Sequence, residues 1–223
     1  GTSIKHFAAN NQEYRRMTSS SQVDERTFRE IYLAAFEGAI REGKPDTVMC
    51  SYNRINGVFA AENRRLLTDI LRGEWGFAGF VVSDWGAVNH RVEGLKAGLE
   101  LEMPSSNGVT DAEIVEAVRD GSLPEEVLDR AVERNLSIVF KFADNRRPGN
   151  FDLDAHHELS GRIAEECMVL LKNTGTLPLD STDGKNIVFI GPFAKKPRFQ
   201  GGGSSHINSF RTSSALEESE AIA

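Results

Sequence analysis

The chain has 223 residues, and a content of 39% hydrophobic and 26% charged residues is ordinary for a globular protein with a sizeable core. Its net charge of −7, without any basic cluster, excludes a typical nucleic-acid-binding surface. No apolar run approaches the roughly 20 residues of a membrane span, and the first residues lack the pattern of a signal peptide. The composition predicts a soluble protein with no nucleic-acid or membrane partner, and it favours a cytoplasmic location.

Four short apolar segments have the pattern of parallel strands that end in polar residues. They are SIKHF (3–7), TVMCSYN (47–53), GFVVSDW (79–85) and GLELEMP (98–104). Continuous apolar runs of this length are typical of strands that are buried on both faces of a parallel sheet. Because ligands collect at the carboxyl ends of parallel strands, the polar residues there are candidates for a binding site.

Helical patterns lie between these segments. Apolar residues recur at helical spacing over 24–43 and over 63–73, and Gly43 is the predicted C-terminal cap of the first helix. Residues 111–141 are also predicted to be helical, with Pro124 in the first turn of the second helix. The alternation of strand and helix predicts βαβ units and therefore an α/β fold.

A stretch rich in Pro, Gly, Asn and Asp, ADNRRPGNFDLDAHH, predicts a linker over 144–158. It separates a first domain over 1–143 from a second domain over 159–223. The second domain is expected to begin with a helix over 159–172 and a strand over 186–191.

The histidine and cysteine residues predict no metal site. His156 and His157 lie in the predicted linker and have no Cys or carboxylate at ligand spacing. Cys50 and Cys167 have no metal-binding spacing either, and they are predicted to be buried, small hydrophobic residues that form no disulfide.

Both domains look incomplete. A closed (β/α)₈ barrel takes about 250 residues, whereas four predicted strands precede the linker. The second domain offers one predicted strand, a glycine-rich loop and a polar end. The chain is therefore predicted to be part of a larger protein, and its partners are expected to be the missing parts of its fold or further copies of itself.

Asp84 is placed abruptly at the end of the apolar run Phe80–Val82. The other side chains expected at this edge of the sheet are those of Lys5, His6, Met49, Tyr52, Trp85 and Glu102. A cation, an imidazole, a phenol and an indole around one carboxylate suit a polyhydroxylated ligand, because polar tips bind hydroxyls and aromatic faces cover a sugar ring. The alternative is that Asp84 caps the helix after it and that Lys5 is a buried ion-pair partner.

The glycine-rich segment QGGGSSH (200–206) suggests a second kind of site, a phosphate-binding loop. The spacing disagrees, since the segment contains neither GxGxxG nor GK[ST], and Pro192 stands where such a loop needs a free amide. The sequence therefore favours a flexible interdomain loop over a nucleotide site.

Several long segments, in order along nearly the whole chain, carry a family resemblance. They are KHFAANNQE (5–13), VDERTFREIYLAAFEGAI (23–40), VMCSYNRINGVFAAEN (48–63), LLTDILRGEWGFAGFVVSDWGA (66–87), GLELEMP (98–104), VLLKNTGTLPL (169–179) and IGP followed by GGGSS (190–205). The sequence resembles glycoside hydrolase family 3, and within it the β-glucosidases. The resemblance implies the C-terminal half of a (β/α)₈ TIM-like barrel, followed by the start of an αβα sandwich.

The resemblance also implies roles for individual residues. Asp84 corresponds to the catalytic nucleophile of the family. The implied substrate-binding residues are Lys5, His6, Arg16, Met49, Tyr52, Trp85 and Ser204. Arg15 is the alternative to Arg16 as the substrate-binding arginine, because a shift of one residue in the match to the family motif exchanges them. The implied activity is retaining hydrolysis of terminal β-D-glucosyl residues from β-linked glucosides or oligosaccharides, through a covalent glycosyl-aspartate and without metal or cofactor.

Two departures from the family pattern limit this interpretation: the family's N-terminal barrel strands, which carry further substrate-binding residues, and its acid/base glutamate have no counterpart in these 223 residues. The hexosaminidase branch of the family has the motif KHFPGHG at the positions where this chain has KHFAANN. This difference favours a glucosidase over a hexosaminidase, and it leaves a β-xylosidase open. The family's acid/base glutamate has no counterpart here, because Glu217, Glu218 and Glu220 lack a matching context. A sugar-binding module without catalysis is therefore the alternative function for this chain alone.

Overall fold

The computed structural model describes residues 1–180, 184 and 186–222, so the predicted end of the second domain at Ala223 lies outside the described residues. The chain divides into two compact units, Gly1–Arg147 and Pro148–Ala223. Each unit has its own secondary structure, and the first one contains all the strands of the described residues.

The first unit is built on a three-stranded parallel sheet. The strands in chain order are β1 Ser3–Phe7, β2 Ser20–Ser21, β3 Thr47–Cys50, β4 Arg54–Ile55, β5 Val58–Phe59 and β6 Phe80–Val82. The main sheet has the order β1-β3-β6, and β2, β4 and β5 form a small second sheet. The three predicted strands in the main sheet are confirmed. The predicted fourth, 98–104, contributes only a single parallel bridge from Leu101 to Val82.

A continuous helical segment over 25–43 connects the two strands β1 and β3. It consists of α1 Glu25–Thr27, a π-helical turn Phe28–Leu33, α2 Ala34–Gly38 and a second π-helical turn Ala39–Gly43. Asp24 caps its start, since its carboxylate accepts a hydrogen bond from the Thr27 amide at 3.0 Å. The predicted cap at Gly43 is wrong: the wide last turn extends through Gly43, and Lys44 takes the left-handed conformation with φ 46°.

Further helices cover the sheet and its edges. They are the π-helical segment Arg65–Glu74 and the helices α3 Arg91–Ala97, α4 Val109–Arg119 and α5 Glu125–Asp144. Pro124 is the cap residue just before α5, where its missing N–H costs no hydrogen bond. These helices confirm the predicted βαβ pattern and the predicted helical region after it.

The core of the first unit lies between the main sheet and its helices. Phe7, Val48 and Val81 of the sheet are fully buried, and the segment Arg65–Glu74 buries Leu66, Leu67, Ile70 and Leu71. Burial of one such side chain contributes about 1.5–3 kcal/mol. The strands are therefore held firmly, and with them the residues at their carboxyl ends.

The second unit contains two longer helices, α6 Leu153–Cys167 and α7 Ala215–Ile222, and two short 3₁₀ turns, Pro192–Ala194 and Gly203–Ser205. The predicted helix over 159–172 therefore starts earlier and ends earlier, since Asp152 caps the start of α6 through the amides of Asp154 and Ala155. No helix of the described residues is long and apolar enough to cross a membrane.

His156 and His157 lie in α6, so their predicted place in a linker is wrong. The His156 ring stacks with Phe151 at a centroid distance of 6.3 Å, and His157 meets Phe210 edge-on at 6.4 Å. Within the described residues, no group of three or more His, Cys, Asp or Glu could hold a metal ion.

Two further predictions for the second unit are wrong. Residues 186–190 form no strand, because no other described segment of this unit pairs with them, and Ile190 is 91% exposed. Cys167 is exposed at the end of α6, whereas Cys50 is buried as predicted. Both are free thiols.

Candidate active site

Asp84 lies just beyond the carboxyl end of β6, and its side chain is only 11% exposed. The Tyr52 hydroxyl donates a hydrogen bond to Asp84 Oδ1 at 2.9 Å, and the Trp85 amide donates to the same oxygen at 2.7 Å. His6 Nε2 lies 3.4 Å from the other oxygen, Oδ2. One carboxylate oxygen is thus fixed by two donors, and the second faces an imidazole.

Three neighbouring strands supply these side chains. His6 belongs to β1, Tyr52 follows β3 and Asp84 follows β6, in the order of the parallel sheet. The predicted convergence of His6, Tyr52 and Asp84 at one edge is confirmed. The alternative interpretation of Asp84 as a helix cap is wrong, because the next helix begins only at Arg91, with His90 as its cap residue.

Tyr52 is buried beside the carboxylate. Burial raises the pKa of the Tyr52 phenol, and the hydrogen bond and negative charge of Asp84 raise this pKa further. The phenol therefore stays protonated at neutral pH and remains a hydrogen-bond donor.

Arg16, and not Arg15, is the arginine at this site. The Arg16 guanidinium lies over the Tyr52 ring, 4.5 Å from its centroid, and Glu13 holds it through an ion pair of 2.8 Å. Arg15 is exposed and lies over Tyr14 instead. Of the two arginines, Arg16 is therefore the one that lies next to Tyr52, and its role in substrate binding stays a prediction.

The other predicted site residues lie farther from the carboxylate or face solvent. Lys5 is exposed, and no hydrogen bond or ion pair of the described residues joins it to Asp84. Met49 is half-buried in β3, and Trp85 is 52% exposed next to Asp84. Ser204 belongs to the second unit, where it is exposed in the turn Gly203–Ser205. His6 is therefore the member of the Lys5–His6 pair that reaches the carboxylate.

Ser51 and Asn53, which flank Tyr52, support the loop after His6, and the sequence interpretation missed them. The Ser51 hydroxyl donates to the Ala8 carbonyl at 2.9 Å, and Asn53 Nδ2 donates to the carbonyls of Ala8 and Ala9, both at 3.3 Å. The available signal was a pair of polar residues directly after an apolar strand, at the edge of the sheet where polar side chains are candidates for a site.

Glu102, the other carboxylate at this edge, is already bound within the protein. Its Oε2 accepts a hydrogen bond from the Thr110 hydroxyl at 2.5 Å and lies 3.7 Å from Arg91 Nε. Ser83 and Met103 join the two segments, because Ser83 Oγ donates to the Met103 carbonyl and accepts from its amide. Asp84 is therefore the better candidate for chemistry at this edge.

A cavity of about 480 Å³ opens at the other end of the sheet, where Asp46, Gly79 and Lys141 line it. Asp46 and Gly79 precede the amino ends of β3 and β6. Active sites of parallel α/β barrels lie at the carboxyl ends of the strands, and amino-end residues serve stability. The edge around Asp84 is therefore the candidate site, although this cavity lies at the opposite end of the sheet.

Comparisons with known proteins identify the family of this chain. The family described as Glycosyl hydrolase family 3 N terminal domain matches residues 1–138. Thermostable beta-glucosidase B of Acetivibrio thermocellus is 56% identical over 220 residues, 98% of this chain and 29% of the relative. An exo-alpha-(1->6)-L-arabinopyranosidase of Bifidobacterium longum is 49% identical over 230 residues, 97% of this chain and 30% of the relative.

Solved structures give the same assignment. Beta-glucosidase 3B of Thermotoga neapolitana, determined in complex with alpha-D-glucose, matches with a TM-score of 0.90 and 38% identity. The match covers 99% of this chain and 32% of that structure, so the chain spans about a third of its relatives' length. The family match, the relatives and the solved structures all indicate the same family, and the chain belongs to glycosyl hydrolase family 3.

Proposed function

We propose that this chain carries the nucleophile of a retaining β-glucosidase, and that the nucleophile is Asp84. The observation that carries the proposal is the asymmetry of its carboxylate. Tyr52 and the Trp85 amide hold Oδ1, whereas the described residues bring only His6 close to Oδ2, at 3.4 Å. A nucleophile needs this combination, because it must be fixed in orientation and still have one oxygen free to form a bond.

In the first step, Asp84 Oδ2 attacks the anomeric carbon of the terminal sugar. The bond from that carbon to the glycosidic oxygen breaks, and the leaving oxygen takes a proton from a general acid on the other face. The product is a sugar ester of Asp84. Retention requires the two carboxyl groups to be about 5–5.5 Å apart.

In the second step, the deprotonated acid/base takes a proton from water, the water oxygen attacks the same carbon, and Asp84 leaves as a carboxylate. Tyr52 assists this step, because its hydrogen bond stabilises the negative charge that returns to Oδ1. The same bond makes Asp84 a weaker base in the first step, so the phenol favours departure over attack. The raised pKa of Tyr52 keeps the proton available for both steps.

The surrounding residues are proposed to bind the sugar. His6 is 39% exposed and Arg16 is 43% exposed at their side chains, so both can donate hydrogen bonds to hydroxyls. The exposed Trp85 indole offers an apolar face for the sugar ring. Lys5, Met49 and Ser204 remain proposed substrate-binding residues on the family resemblance.

Sugar binding without turnover is the second candidate function, for this chain alone. Its support is the state of Glu217, one of the three glutamates near the end of the chain. Glu217 Oε2 accepts hydrogen bonds from the Ser214 hydroxyl and amide at 2.8 and 3.2 Å, so Glu217 is the partner of Ser214 in the capping box that begins α7. A glutamate engaged in this way is a poor proton donor, and the acid/base is proposed to come from elsewhere in the complete polypeptide.

We further propose that the first unit is the C-terminal half of a (β/α)₈ barrel and that the second unit begins an αβα sandwich. The parallel order β1-β3-β6 and the single bridge to Leu101 support the first part. The second part rests on the family resemblance, and the covered share of the relatives, 29–32%, leaves room for the rest of both domains.

The sugar at the cleaved end is proposed to be β-linked glucose. Two of the relatives are named for different sugars, a β-glucoside in one and an α-L-arabinopyranoside in the other. Rates on the nitrophenyl derivatives of β-D-glucose, β-D-xylose and α-L-arabinopyranose rank the three directly. The highest kcat/KM on the β-D-glucoside supports the proposal, and a higher value on either pentoside contradicts the proposed sugar.

Replacement of Asp84 by Asn in the complete polypeptide tests the proposed nucleophile. The change removes the charge and keeps the shape, so kcat is expected to fall by about 10⁴-fold or more, the scale of losing a nucleophile. A 2-fluoro glucoside, which forms a slowly hydrolysed ester, is expected to add its sugar mass to the peptide that contains Asp84.

Glu102→Gln is the matched control, because Glu102 lies at the same edge but is bound by Thr110 and Arg91. This variant is expected to keep its activity within about tenfold. A sugar label on another carboxylate, or a similar loss of rate in both variants, contradicts the assignment of Asp84.

A further inference from the structure

We infer that Glu100 is a positioning residue, which holds the strand that carries Asp84 at its end; this inference rests on the proposed function. The Glu100 side chain is 1% exposed and lies beneath the candidate site. Its Oε2 accepts the amide of Val81 at 2.7 Å, within β6. Its Oε1 accepts hydrogen bonds from Arg72 at 2.8 Å and from Arg134 at 2.7 Å.

The bond to Val81 takes the place of a main-chain bond. Segment 98–104 lies beside β6, but only one bridge, Leu101 to Val82, joins the two. The Val81 carbonyl accepts the amides of Glu100 and Leu101, at 3.1 and 3.0 Å. The buried Val81 amide needs an acceptor of its own, and the carboxylate of Glu100 provides it. A charged acceptor makes this hydrogen bond stronger than a carbonyl would.

Two arginines, Arg72 and Arg91, extend this arrangement to the start of β6 and to the neighbouring segment 98–104. Arg72 also donates to the carbonyls of Phe77 and Gly79, at 3.3 and 2.9 Å, just before the strand. Arg91 donates to the carbonyls of Leu99 and Glu100, both at 3.0 Å. The start of β6 and the neighbouring segment are therefore held by charged side chains as well as by the sheet.

A contribution to stability alone does not explain why Glu100 and its arginine partners are buried. Taking a carboxylate and two guanidinium groups out of water is costly, and apolar residues of similar size often stabilise a protein more. Charged groups do fix one register, since their hydrogen bonds are lost in any other. Burial lowers the pKa of Arg72, and the negative charge of Glu100 acts in the opposite direction.

The register of β6 determines the position of the nucleophile. Val81 precedes Asp84 by three residues, about 10 Å of extended chain. A nucleophile must lie within a fraction of an ångström of its attack position, and a misplacement of 1 Å costs about 10²-fold in rate. Glu100 touches neither the sugar nor Asp84, so its effect on the reaction passes through the strand.

Kinetics of the complete polypeptide test the inference with Glu100→Gln, which keeps an acceptor but removes the charge. Arg134→Met is the second variant, because Arg134 is 31% exposed at its side chain and easier to replace. Both are expected to lower kcat on an aryl β-glucoside by about 10- to 100-fold. KM is expected to change less than about threefold, because the groups that bind hydroxyls are untouched.

Two further variants separate positioning from stability. Arg134→Lys retains the charge and is expected to restore kcat to within about threefold of wild type. Arg29→Met breaks an ion pair with Glu74 in the same unit but away from β6, and its kcat is expected to stay at the wild-type value. An unchanged kcat in Glu100→Gln, with an active wild type, overturns the inference and leaves the proposed function standing.

Hydrogen exchange gives a readout that does not depend on activity. The Val81 amide is expected to exchange at least about tenfold faster in Glu100→Gln, while the Val48 amide in β3 keeps its wild-type rate. An equal change at both amides, or no change at Val81, overturns the inference. If the wild type cleaves no glycoside, the proposed function fails, and the exchange rates alone decide whether Glu100 holds this strand.

Discussion

The two units contain similar apolar runs, which are buried in the first unit and exposed in the second. In the first unit, Val48 and Val81 are fully buried in paired strands. In the second unit, Leu171 is 92% exposed and Ile190 is 91% exposed, although VLL and IVFI have the same strand-like composition. An apolar run becomes a buried strand only where other segments satisfy its amides and carbonyls and cover its faces.

The largest expected difference between the units concerns their two thiols. Burial raises the pKa of Cys50 to about 12, whereas Cys167 is exposed. Compared with a free cysteine of pKa about 8.5, a thiol of pKa 12 has roughly 10³-fold less thiolate at pH 8. We expect iodoacetamide to modify Cys167 within minutes and to leave Cys50 unmodified, as measured by mass spectrometry of the two peptides.

A Cys167→Ser variant provides the control, since Cys50 is then its single thiol. This variant is expected to react only after urea unfolds the first unit. Equal rates of modification at both cysteines in the native chain would break the comparison, because the core of the first unit would then be open to reagent.

A matched pair of leucine replacements sharpens the comparison. Leu67 is fully buried in the segment Arg65–Glu74, so Leu67→Ala is expected to lower the free energy of unfolding by about 2–5 kcal/mol. Leu171→Ala removes the same atoms from an exposed position and is expected to change it by less than about 0.5 kcal/mol. Urea denaturation of the 223-residue chain measures both.

In the complete polypeptide, the two leucine replacements are expected to change the free energy of unfolding differently than in the 223-residue chain. If further strands cover the second unit there, Leu171→Ala becomes as costly as Leu67→Ala. A large cost for Leu171→Ala already in the 223-residue chain would contradict its exposure.

The smallest expected effect is a response of the first unit to acid. The hydrogen bonds of Arg29 to Glu25 and to Glu74 lower the pKa of both carboxyls below the ordinary value of 4.5. Because the folded pKa is the lower one, the stabilisation is present above pH 4.5 and is lost as the pH falls through the folded values. Both groups are exposed, so we expect about 0.2–1 kcal/mol for each pair.

The measurement is the melting temperature between pH 6 and pH 2, for wild type and for Arg29→Gln. The variant is expected to show a shallower loss below pH 4.5, and 1 M salt is expected to reduce the difference. The same acid slope in both proteins would show that these pairs contribute nothing to the first unit.

Much of the first unit could be predicted from the sequence because its signals are local. Phe80–Val82 is a strand since three apolar residues end at a polar one, and Asp24 begins a helix since its carboxylate can cap it. The gathering of His6, Tyr52 and Asp84 followed from the rule that parallel strands share one carboxyl edge. Such rules need no knowledge of distant contacts.

The missed features depend on contacts between distant segments. No local sequence pattern shows that Glu100 accepts a hydrogen bond from the Val81 amide, or that Glu102 accepts one from the Thr110 hydroxyl. The strand expected over 186–191 fails for the same reason, because its pattern is correct and its partners are absent from the described residues. The cis peptide bond between Lys5 and His6 has no sequence signal either, since proline is not involved.

The exposure of Trp85 beside Asp84, in contrast to the burial of Trp75, has an optical consequence. The chain has two tryptophans; Trp75 is 5% exposed and packs against Phe7, and Trp85 is 52% exposed beside the candidate nucleophile. Their fluorescence therefore separates into a buried, blue-shifted emission that follows unfolding and an exposed, red-shifted emission that iodide can quench. A sugar seated on the Trp85 ring would shield that indole, so one spectrum of the unlabelled chain can follow folding and ligand occupancy as separate signals.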